Sequence, residues 1–359
     1  MEIALLVIGI LLGVTLLLLI AAAFVMYFIA YSRELPAIGK VLLGDNMTSD
    51  MTNAAERVRV SLAHETEEYL KTHVTEEIRT TSFDGLKLVA TLLKGDPKCR
   101  KVVIAIHGYH SSANWDFGGT IQFFHERGYH VLLPDCRAHG RSEGKLVGFG
   151  WLDRKDAVTW SKKMVRMFGA EAEILLIGVS MGGATVMMAS GEENLPSEVK
   201  AIIEDCGFSS VMEQFEYMFP AQVKFLAKPV LFFDNLISLI FNKHALYSAS
   251  SLKQLAKNTR PILFIHGEED DFVPAYMLEK NYEAAVSEKD YMMVPVANHA
   301  QSCDADPQAY QKKISGFLEQ TVNWNPRETL VHEPKPDDRE EDDYGNDENE
   351  KAGNTESEI

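Results

Sequence analysis

Ser180 stands in Gly178-Val179-Ser180-Met181-Gly182, a serine with a glycine two residues away on either side. A serine hydroxyl becomes a useful nucleophile when a base takes its proton and a carboxylate orients that base. The G-x-S-x-G spacing is that of a nucleophile elbow, a sharp turn between a strand and a helix. The apolar run 174–179 supplies the strand, and Gly183-Ala184 opens a helix of small residues. A Cβ at either flanking glycine would collide with a neighbouring strand or helix. The turn lifts Oγ out of the sheet. It also leaves the first N–H groups of the helix free to stabilise a negatively charged oxygen, that of Met181 first.

The remaining groups are sought at the carboxyl ends of strands, where ligands gather in doubly wound sheets. Of eleven histidines, only His299 lies past the last strand-like run and before the final helix, so it is the expected base. The acid falls in the run after 262–265, where Glu268, Glu269, Asp270 and Asp271 all compete. A second oxyanion donor is expected from the loop after 102–106. There Gly108 permits a tight turn that presents the N–H of Tyr109. His107 reads as a residue that fixes this loop, not as the base.

The elements that must hold these groups can be read from residue 76 onward. Runs 76–82 and 86–93, separated by Phe83-Asp84-Gly85, predict a hairpin. The runs 102–106, 130–134, 174–179, 199–203, 262–265 and 291–294 are short and apolar, and helical patterns lie between most of them. Such alternation predicts an α/β fold, a mostly parallel sheet covered on both faces. The interval 207–258 breaks the rhythm. It carries Phe215, Phe219, Phe225, Phe232, Phe233 and Phe241 without a clear strand, and predicts a helical lid.

From about 75 to 321 the chain resembles the α/β-hydrolase superfamily. The likeness rests on IHGYHSS at Ile106, PDCRAHGRSEG at Pro134, GVSMGG at Gly178, HGEEDDFVP at His266 and NHA at Asn298. The second of these resembles a structural loop, with Asp135, Arg137, His139, Gly140, Ser142 and Gly144 in place, and is assigned no chemistry. In the family pattern H-G-x-x-D-x-x-V-P the aspartate is the triad acid, which implies Asp270. The chain is similar in particular to membrane-anchored or secreted esterase-like hydrolases. The resemblance implies a Ser180-His299-Asp270 triad with Tyr109 and Met181 amides receiving the oxyanion, and no metal or organic cofactor.

Residues 3–31 contain no formal charge. As a helix they extend about 43 Å at about 1.5 Å per residue, more than the roughly 30 Å hydrocarbon core. A cleaved signal peptide with Ala21-Ala22-Ala23 as its site is the rival. No Lys or Arg precedes the run, however, and it continues past the alanines. An uncleaved anchor is expected over 1–31. Arg33 and Lys40 after the span, against Glu2 before it, point the rest of the chain to the cytoplasmic side, though two charges do not fix orientation.

Residues 32–75 are expected to hold a juxtamembrane helix with Ala54, Val58, Leu62 and Leu70 on one face. The hydrolase domain covers 76–322, and 323–359 form a disordered acidic tail. From Arg327 the chain carries 13 acidic and 4 basic residues, a net of −9, leaving −8 of the formal −17 for the rest. No basic patch invites nucleic acid. Four scattered cysteines form no metal or disulfide pattern.

The expected function is hydrolysis of carboxylic esters from a small-molecule or lipid-derived substrate with an apolar acyl group. Thioesterase, amidase or peptidase, and acyltransferase chemistry would use the same residues. A non-catalytic membrane scaffold is the rival from another class. A chain beginning near Asn46 is expected to be soluble and active.

Overall fold

The computed structural model describes residues 1–34, 53–322 and 324. The acidic-tail expectation, and residues 35–52 of the juxtamembrane segment, lie outside them.

Helix α1 (Glu2–Tyr31) is followed by α2 (Ala54–Thr72) and the hairpin β1 (Thr75–Thr81) and β2 (Lys87–Leu93). Strand β3 (Lys101–Ile106) leads through α3 (Ala113–Asp116) and α4 (Thr120–His125) to β4 (His130–Pro134). Then come α5 (Asp153–Phe168), β5 (Glu173–Val179), α6 (Met181–Ser190) and β6 (Val199–Asp205). The lid holds α7 (Val211–Met218), a 3₁₀ turn (Ala221–Leu226), α8 (Ala227–Phe241) and α9 (Ser251–Leu255). The chain closes with β7 (Ile262–Gly267), α10 (Tyr276–Ala284), β8 (Lys289–Val294), α11 (Ser302–Ala305) and α12 (Pro307–Val322).

The eight strands form one sheet in the order β1-β2-β4-β3-β5-β6-β7-β8. The pairs β1–β2 and β2–β4 are antiparallel, and the rest are parallel. This is the α/β-hydrolase fold. The inner strands read as unbroken apolar runs because both faces are covered. Ile104, Ile174, Leu176 and Phe264 pack on one side with Trp160 and Met164 of α5. Val103, Leu175, Ile177 and Ile265 pack on the other with Phe124 and with Ile314 and Phe317 of α12.

A third apolar cluster lies outside the sheet and joins three parts of the chain. Ala23, Tyr27, Ala30 and Tyr31 from the end of α1 meet Phe215, Val230 and Leu231 of the lid, and Met181 beside the elbow. Helix α1 is long and apolar enough to cross a membrane, and its last turns pack into the rest of the protein. Its carbonyls at the C-terminal end, which a helix leaves without internal partners, are taken up by the rest of the protein. The Tyr109 hydroxyl donates to Ala30 O at 2.8 Å and the Val147 N–H donates to Tyr31 O at 2.8 Å. Arg33 donates from its guanidinium to the carbonyls of Ser142 and Gly140. The last turns of the apolar run are therefore protein core.

Helix α2 meets expectation in part: Leu62 lies against Gly118 and Leu70 packs on the core beside the sheet. Its buried residues are Ala55, Glu56, Arg59 and Thr66, whereas Ala54 and Val58 face solvent. The first half of the contact is polar: Arg59 pairs with Asp304 at 2.8 Å and Gln301 donates to Glu56 at 3.2 Å. Apolar spacing alone could not find a face held by buried charge.

The loop after β4 is structural, as expected. Arg137 makes paired hydrogen bonds to Asp156 at 2.7 and 2.9 Å and reaches Asp84 in the hairpin turn at 3.0 Å. The Ser142 hydroxyl donates to Asp135 O at 2.6 Å.

Candidate active site

Four strand ends meet at the carboxyl edge of the sheet. Ser180 follows β5 directly, with φ 57° and ψ −117°. A non-glycine residue held there carries about 1–3 kcal/mol of strain, kept in place by its surroundings. Those surroundings are visible: Ser180 N–H donates to Asp205 O at 2.8 Å, and Ala184 N–H donates back to Ser180 O at 2.9 Å. A Cβ at Gly178 would strike the Gly182 carbonyl, and one at Gly182 would strike the carbonyls of Ile106 and His107. The flanking glycines let helix and strand close on one another at the serine.

His299, on the loop beyond β8, brings Nε2 to 2.8 Å from Ser180 Oγ. Its Nδ1 lies 2.8 Å from Asp270 Oδ2, so one imidazole bridges hydroxyl and carboxylate. Among the four acidic candidates after β7, Asp270 alone is buried; Glu268, Glu269 and Asp271 face solvent. Asp270 Oδ1 accepts the N–H groups of Phe272 at 3.0 Å and Val273 at 2.8 Å. Burial alone would raise its pKa. His299 and His266 instead hold the carboxyl well below the usual range, so it is ionised at neutral pH. The loop carrying His299 is itself fixed, since Asn298 Oδ1 accepts the His299 N–H at 2.7 Å.

The loop after β3 lies against the elbow. A Cβ at Gly108 would come 3.2 Å from Ser180 Cβ. Asp116 fixes the loop by accepting Gly108 N–H at 2.6 Å and the Ser111 hydroxyl at 2.7 Å. That leaves the N–H of Tyr109 next in line, and neither it nor the N–H of Met181 donates to a partner among the described residues. His107 does fix the loop. Its Nε2 accepts the Cys136 N–H at 3.0 Å, so it is neutral, and its Nδ1–H donates to Gly108 O at 2.8 Å. His139 is neutral for the same reason: Nε2 accepts the His110 N–H at 3.0 Å, and burial pushes its pKa down to about 3.

Sequence reading missed two contributors. His266 Nε2 lies 3.3 Å from Asp270 Oδ2 and 2.8 Å from Val273 O, so the carboxylate serves two histidines. Burial would lower the pKa of His266, but Asp270 and Glu204 beside it hold it above its ordinary value. His266 opens the HGEEDDFVP run, but the sequence reading gave it no role. The second contributor is the end of α1, where the Tyr31 ring packs 4.8 Å from Phe149, which stacks on Tyr109 at 5.3 Å. The one signal for it was an apolar run too long for a bilayer.

Cys206, Asp270 and His299 could present three ligand atoms within 4.8 Å of one another. Both His299 nitrogens are already engaged with Asp270 and Ser180, and burial pushes the Cys206 thiol well up, so it stays protonated. The cluster is accounted for by hydrogen bonds.

The lid is helical, as expected, but its aromatics divide. Phe215 is buried and Phe233 packs on the cluster beside the elbow, whereas Phe232 points outward and is half-exposed. Phe232 and Phe233 diverge because neighbouring helix positions face different sides.

The profile of the serine aminopeptidase S33 family (Hydrolase_4) matches residues 97–231. The uncharacterized protein YqkD of Bacillus subtilis is 26% identical over 199 residues, 55% of this chain and 65% of its own length. The uncharacterized membrane protein YNL320W of Saccharomyces cerevisiae is 27% identical over 198 residues, 55% of this chain and 63% of its own. The chain thus spans a little under two thirds of each. Among solved structures, the Pyrococcus furiosus esterase Pf2001 superposes with a TM-score of 0.56 at 22% identity, covering 70% of this chain and 92% of the esterase. Sheet order, elbow and strand-end loops are those of the α/β-hydrolase fold, which the chain shares with the esterase structure. Residues 97–231 are similar to the serine aminopeptidase S33 family.

Proposed function

We propose that the chain is a membrane-anchored serine hydrolase that cleaves carboxylic esters through Ser180, His299 and Asp270. The observation that carries this reading is the unbroken line of 2.8 Å contacts from Asp270 through His299 to Ser180 Oγ. His299 Nε2 takes the hydroxyl proton as Oγ bonds to the acyl carbon, and the carbonyl electron pair moves onto oxygen. The N–H groups of Tyr109 and Met181 receive that oxyanion. When the intermediate collapses, the C–O bond to the alcohol breaks and His299 returns the proton to the leaving oxygen. Water then repeats the sequence on the acyl-enzyme and frees the acid. Asp270 stays ionised and keeps the imidazole in the tautomer with Nδ1 protonated.

A fluorophosphonate probe tests the reading. Covalent labelling at Ser180, abolished in Ser180→Ala, supports a hydrolase. Unlabelled wild type would favour the scaffold. Amide cleavage is a second reading because the matching family is described as a serine aminopeptidase. Turnover of aminoacyl arylamides above that of p-nitrophenyl esters would replace ester hydrolysis by it.

The apolar cluster beside Met181, with Phe215, Val230, Leu231 and Phe233, supports an apolar acyl group. Each buried methylene contributes about 0.8 kcal/mol, so two of them raise kcat/KM by roughly tenfold if their binding persists in the transition state. We expect kcat/KM to rise from acetyl to medium-chain p-nitrophenyl esters and Phe233→Ala to flatten that rise. A wild-type preference for acetyl esters would refute the apolar pocket.

The anchor reading is supported by residues 3–22 of α1, whose apolar side chains are largely exposed. Twenty residues at about 1.5 Å each match the roughly 30 Å hydrocarbon core. The remaining turns brace Tyr109, so deletion of residues 1–45 should lower kcat/KM at least about tenfold. Such a shortened chain is still expected to be soluble and active, at reduced efficiency. Full activity with an unchanged melting temperature would show that α1 only tethers. Tyr31→Ala in the full chain should give an intermediate loss.

A further inference from the structure

Helix α8 wears its polarity inside out. Its buried residues include Asp234, Asn235 and Ser238, all turned toward the protein. Asn235 Oδ1 accepts the Leu246 N–H at 2.8 Å, the Ser238 hydroxyl donates to His244 O at 3.1 Å, and Asp234 lies toward Tyr31 and Tyr27. The outward face is Phe232, Leu236, Leu239 and Ile240, at helical spacing of three and four, with Ile240 71% exposed. Phe225 of the preceding turn is 76% exposed. Lys228 and Lys243, both exposed, close this stripe at its two ends. A helix on the surface of a water-soluble domain turns its polar side to solvent.

The stripe does not stand alone. Phe241 lies 5.7 Å from the Tyr27 ring and 6.5 Å from Phe28, and the Tyr27 hydroxyl donates to Asn242 Oδ1 at 2.9 Å. Phe28 is exposed and stacks on exposed Phe24 at 6.4 Å, so an apolar surface runs from α1 onto α8 without a polar break. The depth also agrees. With residues 3–22 of α1 in the hydrocarbon core, as the anchor reading has it, the end of α8 packs on Tyr27 and Phe28 just after that stretch, at the level of the headgroups. Lysines at both ends of an apolar stripe suit that level, since their stems lie along apolar surface while the ammonium groups reach phosphates.

We propose that the outward face of α8 is a membrane-binding surface, lying in the lipid interface beside α1, so that the lid is part of the bilayer boundary. The inference rests on the anchor reading above. It deepens that reading by making the enzyme's substrates amphiphiles of the leaflet that α8 occupies. Continuity with α1 and the lysine brackets favour lipid over a protein partner.

The test uses the full chain in vesicles of phosphatidylcholine and phosphatidylglycerol, with Cys99→Ser to remove the partly exposed thiol. Single spin labels are placed at Phe232→Cys, Ile240→Cys, Leu12→Cys on α1 and Val286→Cys on the far side. Power saturation compares access by oxygen, which partitions into lipid, with access by a water-soluble nickel chelate. Labels at 232 and 240 should follow the one at 12, with oxygen access severalfold above nickel, while 286 shows the reverse. Lipid exposure at 12 with nickel access at 232 and 240 would overturn the proposal and leave the anchor standing. Nickel access at 12 would overturn the anchor and the proposal together. Shielding of 232 and 240 from both agents would mean a protein covers α8, which also overturns it.

Discussion

Ser180→Ala and His299→Ala should each lose roughly 10³-fold or more in kcat, and the double variant should lose little beyond either, because such groups act as a unit. Each change removes one end of the 2.8 Å contact between Oγ and Nε2. With Ser180 gone there is no hydroxyl to acylate; with His299 gone the hydroxyl keeps its proton. Folding should survive both. Alanine bears the φ of 57° at the elbow at the same cost as serine, and His299 is partly exposed, so no buried polar atom is orphaned except at Asp270, which retains His266 and two backbone donors. Turnover of a p-nitrophenyl ester, measured beside thermal melting, decides the matter. A folded Ser180→Ala protein with near-wild-type kcat would end the assignment.

Asp270→Asn should cut kcat by up to about 10⁴-fold with the fold intact. The asparagine oxygen can still accept from Phe272 and Val273, which holds the turn after β7 in place. Its amide would then face the Nδ1 of His299 as a donor, where the carboxylate had been an acceptor. The imidazole would be driven to the other tautomer, with Nε2 protonated and unable to take the serine proton. Asp271→Asn, one residue on and exposed, should change kcat by less than about twofold. Reversed phenotypes would shift the acid by one residue and break the geometric assignment.

The serine, the histidine and the sheet were legible because each obeys a local rule. Glycines two residues either side of Ser180 answer a steric need that shows in the sequence, and unbroken apolar runs mark strands covered on both faces. Asp270 was harder. Four acidic side chains crowd the turn after β7, and only burial, a tertiary property, separates one from three. The inward face of α2 was read correctly at Leu62 and Leu70 but missed at its start, because Arg59 and Glu56 are buried against Asp304 and Gln301, partners more than 240 residues away. The place of α1 in the core was hidden for a related reason, since composition gives the same signal for a residue facing lipid and one facing Met181 or Val230.

The Tyr27–Asn242 hydrogen bond closes a separation of 215 residues. A ribosome adds about 5–20 residues each second, so α1 leaves it some tens of seconds before α8 exists. During that interval Tyr27, Ala30 and Tyr31 have no lid to pack on, and the first of their partners to emerge is Tyr109. Helix α1 is therefore made well before the lid it packs on. Docking of α8 closes that contact, and Asp270 and His299, which follow α8 in the chain, complete the site later still.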